Sequence, residues 1–475
     1  MVYVTDIYQG GYKLNKWTDI ISERTLNLKQ TDLPNAAYLQ AKRAFIDTLG
    51  CIYASKEEPV IKKLEDYISS IDSPLKLNNK GYYESSNIEY SALILGTMAH
   101  AIDFDDVNAA THGHPSAVLM PTAMVVAEYT DSTFEEMYLA YIAGFEVMSL
   151  VGETLGFDHY EKGWHSSSTY GIIGATVVAS KLIGLDIDQI SKALAIAVSQ
   201  IGGSRRNFGT MMKPFHIGNA CRIAVSSVLL ANKGFTSADN IIEEKMGYFD
   251  LYQGKNGLTN TTNKLINLYA EDNLYILYPG IDVKKYPCCY WTARGADGVL
   301  NIIENEKIDF HDIKKIQIIT PTGGLNALIY TNPRTDLEGK FSMEFVLASA
   351  AYYKSVGFQN FSNESLSNQE IKTLMQLVEK SENPEIDVRE GANGGHVVVK
   401  IITEHNTFEE HVKYPRGSAY NPLLKDELLN KFTECIKYSN SNEIDGVSTF
   451  NKIWDLPNEF LYRSWKTEIE TGVTK

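Results

Sequence analysis

The segments Asp103-Phe104-Asp105-Asp106 and Thr111-His112-Gly113-His114-Pro115-Ser116 put three carboxylates and two histidines within fourteen residues. A carboxylate that orients an imidazole makes a proton-transfer centre. His112 and His114 beside aspartates are also a usable ligand set for zinc or iron. The plain alternative is helix capping by the aspartates, with the histidines on the surface. A second segment, Gly163-Trp164-His165-Ser166-Ser167-Ser168-Thr169, reads as a hydroxyl-rich helix start whose backbone N–H groups face an anion, with His165 in reach of it. In a third, Ser204 to Ala220, Arg205, Arg206, Lys213 and His216 cluster within an acidic chain. That local reversal of charge suits a polycarboxylate or a phosphate. Lys213, followed by Pro214 in a glycine-bounded turn, is predicted outside regular structure and is a candidate base. The fourth segment is Lys284-Lys285-Tyr286-Pro287-Cys288-Cys289. Adjacent cysteines make a poor chelate and a strained disulfide, which favours apolar packing with at most a thiol role, and either lysine suits a carboxylate.

Better-defined machinery is missing from the chain. No P-loop, Gly-x-Ser-x-Gly elbow, His-Glu-x-x-His or Cys-x-x-Cys occurs. Gly171 and Gly174 follow no clear strand and argue only weakly for a dinucleotide.

The elements that must position these residues are mostly helical. Apolar residues recur at steps of three and four from Asp32 to Ser55, with Pro34 placed early, where a helix tolerates it. Further helical windows are Tyr90–Ala101, Pro121–Tyr129, Phe134–Leu155, Ser168–Leu185, Asp188–Gln200 and Ile217–Lys233, many rich in Ala, Gly and Ser. After about Gly280 the pattern changes. Lys315–Thr320 alternates, and the β-branched run His396–Thr403 precedes a polar break and then Thr407–Tyr414, which suits a hairpin. Helical windows at Phe341–Tyr353 and Gln369–Lys380 lie between these strands. Asn421 and Pro422 look like the cap and first position of a last helix whose buried face is Leu428, Leu429, Phe432, Cys435 and Ile436. The fold class predicted is mainly α with α+β. A large all-helical domain spans residues 1–279, a smaller α+β lid domain 280–416, and a C-terminal helical segment, 417–475, returns to the helical domain.

The chain has 475 residues, of which 44% are hydrophobic and 22% charged, ordinary for a folded protein of about two domains. Lys plus Arg is 44 against 59 Asp plus Glu, a net charge of −15, which argues against broad nucleic-acid binding. Five scattered cysteines suit a reducing compartment. Met1–Gly11 lacks the basic start and apolar run of a signal peptide. The longest uncharged stretch, Val107–Ala127, carries Asn108, two histidines and two prolines and is a poor membrane span. The expectation is a cytoplasmic protein, with no membrane or nucleic-acid partner.

Taken in order, Ala41 to Gly50, His100 to Asp106, His114-Pro115-Ser116, Phe208 to Gly218, Tyr286 to Cys289, Glu338 to Ser342 and Pro415-Arg416-Gly417 resemble the MmgE/PrpD family along the whole chain. The resemblance implies a homodimeric enzyme without metal or cofactor, working between its domains on a small di- or tricarboxylate. Carried over by motif, Asp103, His114, His165, Lys213, Lys284 and Tyr330 would be catalytic, with His112 competing with His114 for the first histidine role. His112, Arg205, Arg206, His216 and Cys289 would contact substrate. Val107, Cys289 and Ala293 stand where relatives often carry polar groups, which counts against a decarboxylase. The leading expectation is a hydro-lyase acting on a hydroxy-tricarboxylate such as 2-methylcitrate. Epimerisation or decarboxylation of a related polycarboxylate, iminodisuccinate or cis-aconitate, is the alternative. A metal-dependent hydrolase using His112 and His114 is the reading from a different class.

Overall fold

The computed structural model describes residues 16–71, 87–271, 274–387, 395–439 and 444–465, and the backbone of four short strands at 7–9, 12–14, 76–77 and 83–84. Apart from the strand Ile7–Gln9, the reading of Met1–Gly11 falls outside these residues.

Two compact units emerge. The first takes in 1–101, 105–281 and 429–475; the second takes in 102–104 and 282–428. Sequence patterning placed the divisions at 279/280 and 416/417. In the structure Val283 N–H donates to Gly417 O (2.8 Å) and Ala419 N–H to Asp282 Oδ1 (2.7 Å), and Arg416 donates to Glu427. These bonds keep 417–428 with the segment that begins at Asp282.

The first unit is built from helices α1 (Trp17–Asn27), α2 (Asn35–Ala54), α3 (Pro59–Ile71), α4 (Ile88–Ala101), α5 (Pro115–Tyr129), α6 (Phe134–Glu161), α7 (Ser166–Thr169), α8 (Gly171–Ile183), α9 (Ile187–Val198) and α10 (Met212–Asn232). The short strand pairs β1 (Ile7–Gln9) with β2 (Tyr12–Leu14) and β3 (Lys76–Leu77) with β4 (Tyr83–Glu84) are additions to the all-helical expectation. In α2 the residues Ala37, Ala41, Ala44, Phe45, Leu49 and Ile52 are all buried, as their spacing required. Pro34 caps that helix from an extended conformation. By length and composition α6 could cross a membrane, but its apolar face is spent inside the protein, with 83% of the window buried.

Glycine fixes how closely these helices cross. A Cβ on Gly218 of α10 would overlap Leu93 O and Thr97 Oγ1 of α4, and one on Gly96 would lie 2.9 Å from Gly218 Cα. Gly174 of α8 meets the Gly144 carbonyl of α6 in the same way, and Gly171 meets Val118 of α5. The Gly171/Gly174 pair is therefore a packing feature of the bundle.

Two helix starts differ from the sequence reading, both beside the candidate residues. Helix α5 begins at Pro115, with the next proline, Pro121, inside it and no N–H to offer the Ala117 carbonyl. Helix α10 begins at Met212, so Lys213, Pro214 and His216 lie in its first turn and not in a loop. A first-turn proline loses nothing, because the early N–H groups of a helix have no carbonyl partner within it.

The second unit holds a four-stranded sheet. Strands β5 (Lys315–Pro321), β6 (Val378–Asn383), β7 (Val397–Ile402) and β8 (Thr407–Val412) lie in the order β6-β5-β7-β8, with β5 parallel to β6 and the other pairs antiparallel. The β7–β8 hairpin follows its sequence signal. The window Gln369–Lys380 does not: its helix stops at Gln376, and Val378 opens an edge strand whose half-exposed polar residues carry little strand signal. The last boundary also shifts. Asn421 accepts from Arg416 Nη1 (2.7 Å) and donates to Tyr414 O in a turn, so the helix Lys425–Tyr438 begins three residues beyond Pro422.

Gly218→Ala is expected to cost about 2–3 kcal/mol by overpacking. Gly202→Ala, with open space around the new methyl, is expected to stay within about 0.5 kcal/mol. Urea denaturation of both variants checks this, and equal stabilities would contradict a crossing held by glycine.

Candidate active site

Five segments of the first unit converge: the end of α4, the loop to α5, the turn into α7, the loop after α9 and the first turn of α10. At the centre is the Asp105 carboxylate, fully buried. Its Oδ2 lies 2.8 Å from His100 Nδ1 and 3.1 Å from His114 Nδ1. Lys213 Nζ lies 2.8 Å from the other nitrogen of His100, Nε2. A lysine ammonium only donates, so His100 Nε2 accepts and His100 Nδ1–H is the donor to Asp105. Lys213, His100 and Asp105 form a buried hydrogen-bonded run, and His114 extends it as an ion-pair contact with the same carboxylate oxygen.

Burial pushes the Asp105 carboxyl up, but the His100 and His114 imidazoles beside it outweigh that and hold it well below the usual carboxylate range. His100 goes the other way. Burial, with Lys213 adding to it and Asp105 opposing it, takes its pKa down to about 3, so its ring is neutral.

The first turn of α10 grips two imidazoles. Lys213 holds His100, and three residues on, His216 Nδ1 lies 3.2 Å from His165 Nδ1. The His100 and His165 ring centres are 5.8 Å apart, and His100 and His114 are 4.5 Å apart. Phe208 closes one side, edge-on to His165 at 5.0 Å and with Lys213 Nζ 5.4 Å from its ring centre. His165 is only 2% exposed, yet its Nε2 has no hydrogen-bond partner among the described residues. Burial first, then the neighbouring His100 and Lys213, hold its pKa well below the ordinary value, and His216 is lowered by burial and by Lys213.

The His114 backbone is clamped from two sides. Its N–H donates to Ser167 Oγ (2.9 Å), and Ser116 N–H donates to Asp106 Oδ1 (3.1 Å) at the start of α5. Ser116 Oγ also bonds the second Asp106 oxygen and Tyr141 OH. Gly113 leaves no room for a side chain, since a Cβ there would lie 2.7 Å from Ser167 Oγ. Burial raises the Asp106 carboxyl to about 8, against the pull of its Ser116 hydrogen bonds.

Of the other residues singled out from the sequence, His112, Arg205 and Arg206 stand outside this cluster. His112, at φ 45°, turns away from Asp105 and packs its ring against Phe157 (5.1 Å). The close group of potential ligand atoms includes His100, Asp105 and His114 but not His112. A hydrolase built on His112 with His114 is therefore not what the fold assembles. The Arg205 guanidinium sits 3.4 Å over the Tyr160 ring and donates to Tyr160 O (2.6 Å), and the side chain of Arg206 is exposed. Neither arginine joins the histidine cluster: Arg205 is held on Tyr160 by its stacking and hydrogen bond, and Arg206 faces solvent. His216 meets His165.

Asp103, Lys284, Tyr330 and Cys289 belong to the second unit. There Lys284 Nζ donates to Asp103 O (2.8 Å) and lies 3.3 Å from its carboxylate, while Lys340 Nζ donates to Ile102 O (2.8 Å). The two lysines thus fasten the strap 102–104 by successive carbonyls. Cys289 N–H donates to Lys340 O, and Tyr330, half-buried, donates its N–H to Phe341 O. All five cysteines are free and buried. Burial pushes the Cys288 thiol up to about 12, which leaves it unreactive.

Comparison with known proteins decides the family. Residues 19–261 match the model of the MmgE/PrpD N-terminal domain and residues 286–449 that of the C-terminal domain. The chain belongs to the MmgE/PrpD family. Similar members include cis-aconitate decarboxylase of Homo sapiens, 25% identical over 438 residues that cover 88% of this chain and 87% of that one. Cis-aconitate decarboxylase of Aspergillus terreus is 22% identical over 425 residues, covering 86% of each chain. The 2-methylcitrate dehydratase of Salmonella typhimurium is 22% identical over 415 residues, covering 81% and 82%.

Two members of the cluster in this MmgE/PrpD chain, His100 and Asp105, escaped the sequence reading as site residues although both lie within a quoted motif. The available signal was the spacing, a histidine at a helix end five residues before an aspartate. Three aspartates in four positions concealed which one the histidine meets.

The raised Asp106 carboxyl has a stability consequence. Its folded-state pKa lies above its unfolded value, so the folded state holds the proton longer and loses stability as pH rises from about 4 to about 8. Relative to wild type, Asp106→Asn is expected to gain stability between pH 6.5 and 8.5 in denaturation curves. A wild-type-minus-variant difference that is flat, or of opposite slope, over that range would contradict the assignment.

Proposed function

We propose that this MmgE/PrpD protein is a lyase that removes water from a small hydroxy-tricarboxylate such as 2-methylcitrate. The observation that carries the proposal is the grouping of one buried aspartate, Asp105, with His100 and His114 on its carboxylate and Lys213 and His165 next to His100. Loss of water beside a carboxylate needs three things: a base for the proton on the adjacent carbon, a donor for the departing hydroxyl, and positive charge near the carboxylate where negative charge gathers. In the proposed step one group of the cluster takes the proton as the C–H bond breaks. The electron pair forms the double bond as the C–O bond breaks, and another group gives the hydroxyl a proton so that it leaves as water. His114, His165 and Lys213 supply the candidates. Lys213 also offers charge to the carboxylate, and the neutral state of His165 suits proton acceptance.

A second reading, decarboxylation of cis-aconitate, is supported by the similarity to cis-aconitate decarboxylases from two organisms. The same cluster would hold the departing carboxylate and return a proton to carbon.

Proton NMR in D2O, with 2-methylcitrate, citrate, cis-aconitate and iminodisuccinate in parallel, separates these outcomes. Loss of water from 2-methylcitrate is the expected result. Itaconate formed from cis-aconitate, or deuterium entering iminodisuccinate without net loss, would overturn the hydro-lyase reading. On the substrate turned over, Lys213→Ala and His165→Ala are each expected to lower kcat at least about a hundredfold. Near-wild-type turnover in both folded variants would remove the cluster from the mechanism.

A further inference from the structure

We propose that His165 Nε2 is an unprotonated general base whose tautomer is fixed by His216, which acts as a positioning residue and not as a substrate contact. The inference rests on the lyase reading for its chemistry, but its structural premise stands independently of any substrate.

The two rings face each other Nδ1 to Nδ1 at 3.2 Å. Two neutral imidazoles in that arrangement share one proton, which leaves two possibilities. If His216 carries it, His165 Nδ1 accepts, and the His165 proton must sit on Nε2. If His165 carries it, His165 Nδ1–H donates to His216 and His165 Nε2 presents a bare lone pair.

Three observations favour the second arrangement. His165 Nε2 is buried, with no hydrogen-bond partner among the described residues. A stranded N–H is the costlier of the two states, since orphaned buried donors are rarer than under-satisfied acceptors. Lys213, bonded to His100 Nε2 (2.8 Å), places a positive charge that acts on His165 and favours a lone pair there over a second N–H. His216 also lies at the edge of the buried region, 9% exposed against 2% for His165, so its own Nε2–H is the proton better placed to find solvent. Serine anchors both partners, since Ser168 N–H donates to His165 O (2.9 Å) and Ser168 Oγ donates to Gly202 O (2.8 Å) and lies 3.4 Å from His216 O.

In the reaction, the proton on the carbon beside the substrate carboxylate passes to His165 Nε2, and the bonding pair remains with carbon for the new double bond. His165 becomes imidazolium while its Nδ1–H stays bonded to His216. His216 takes up no proton; it holds the ring so that the lone pair, and not an N–H, meets the substrate.

The direct test is 15N NMR of histidine-labelled wild-type protein without substrate, with His165 assigned by comparison with the His165→Ala variant. The expected signature is one protonated Nδ1 and one unprotonated Nε2. A protonated Nε2, or an imidazolium with both nitrogens protonated, would overturn the proposal even if no substrate were known. With the substrate identified, His216→Asn retains an acceptor oxygen near the position of Nδ1 and is expected to keep kcat within about fivefold. His216→Leu is expected to lower kcat at least about thirtyfold with KM little changed, the loss due to a mis-set base. A loss confined to KM in His216→Leu would return His216 to substrate contact and overturn its positioning role. Turnover of none of the four carboxylates would count against the lyase reading, while the NMR result would still decide the tautomer.

Discussion

A carboxylate with no exposure to water is the constraint on which the first unit turns. An ionised Asp105 in a helical core is costly unless charge and hydrogen bonds surround it. Two imidazoles share one of its oxygens, and one of them passes the interaction on to Lys213. That requirement brings the end of α4, the start of α5 and the first turn of α10 within a few ångströms of one another. The glycine crossings of α10 on α4 and of α8 on α6 allow such an approach, because any side chain there would push the backbones apart. Packing and chemistry are therefore one problem in this unit, since the helices that bury the charge also deliver the imidazoles.

The same arrangement gives the cluster its electrostatic character. Burial strips His100 and His165 of their protons, and neighbouring cationic groups reinforce this. The result is a set of neutral imidazoles beside a lysine, held in place by the fold. In the proposed reaction, negative charge that develops on a carboxylate would meet a lysine already oriented, so little reorganisation would be needed. In the second unit Lys284 and Lys340 serve a different purpose, fastening the strap 102–104 by its carbonyls.

Most helices were legible because their burial follows the apolar period, as in α2 and α6. Boundaries were harder wherever a proline intervened. Pro214 read as part of a turn and Pro121 as a helix start, yet one sits in a first turn where its missing N–H costs nothing, and the other is carried inside a buried helix. The edge strand Val378–Asn383 gave a helical signal because its side chains are mostly polar, and its pairing depends on backbone bonds to β5. For the candidate site, residue types pointed to segments that the fold brings together: His114, His165 and Lys213 all lie around His100. Which aspartate and which histidine would serve depended on turn geometry. The positive φ at His112 sends that ring to Phe157 and leaves His114 for Asp105, a choice no local pattern encodes. Arg205 was misleading because its charge is spent on Tyr160.

With two imidazole neighbours outweighing its burial, Asp105 stays ionised well below the pH at which an ordinary aspartate takes up its proton. Carboxyl 13C NMR of aspartate-labelled protein, with the Asp105 signal assigned by its disappearance in Asp105→Asn, tests this directly. The carboxylate signal is expected to stay constant from pH 8 down through the ordinary aspartate range to the onset of acid unfolding. An Asp105 signal that titrates near or above the ordinary aspartate value would contradict it, because a neutral acid at that position could not anchor the chain from His114 to Lys213.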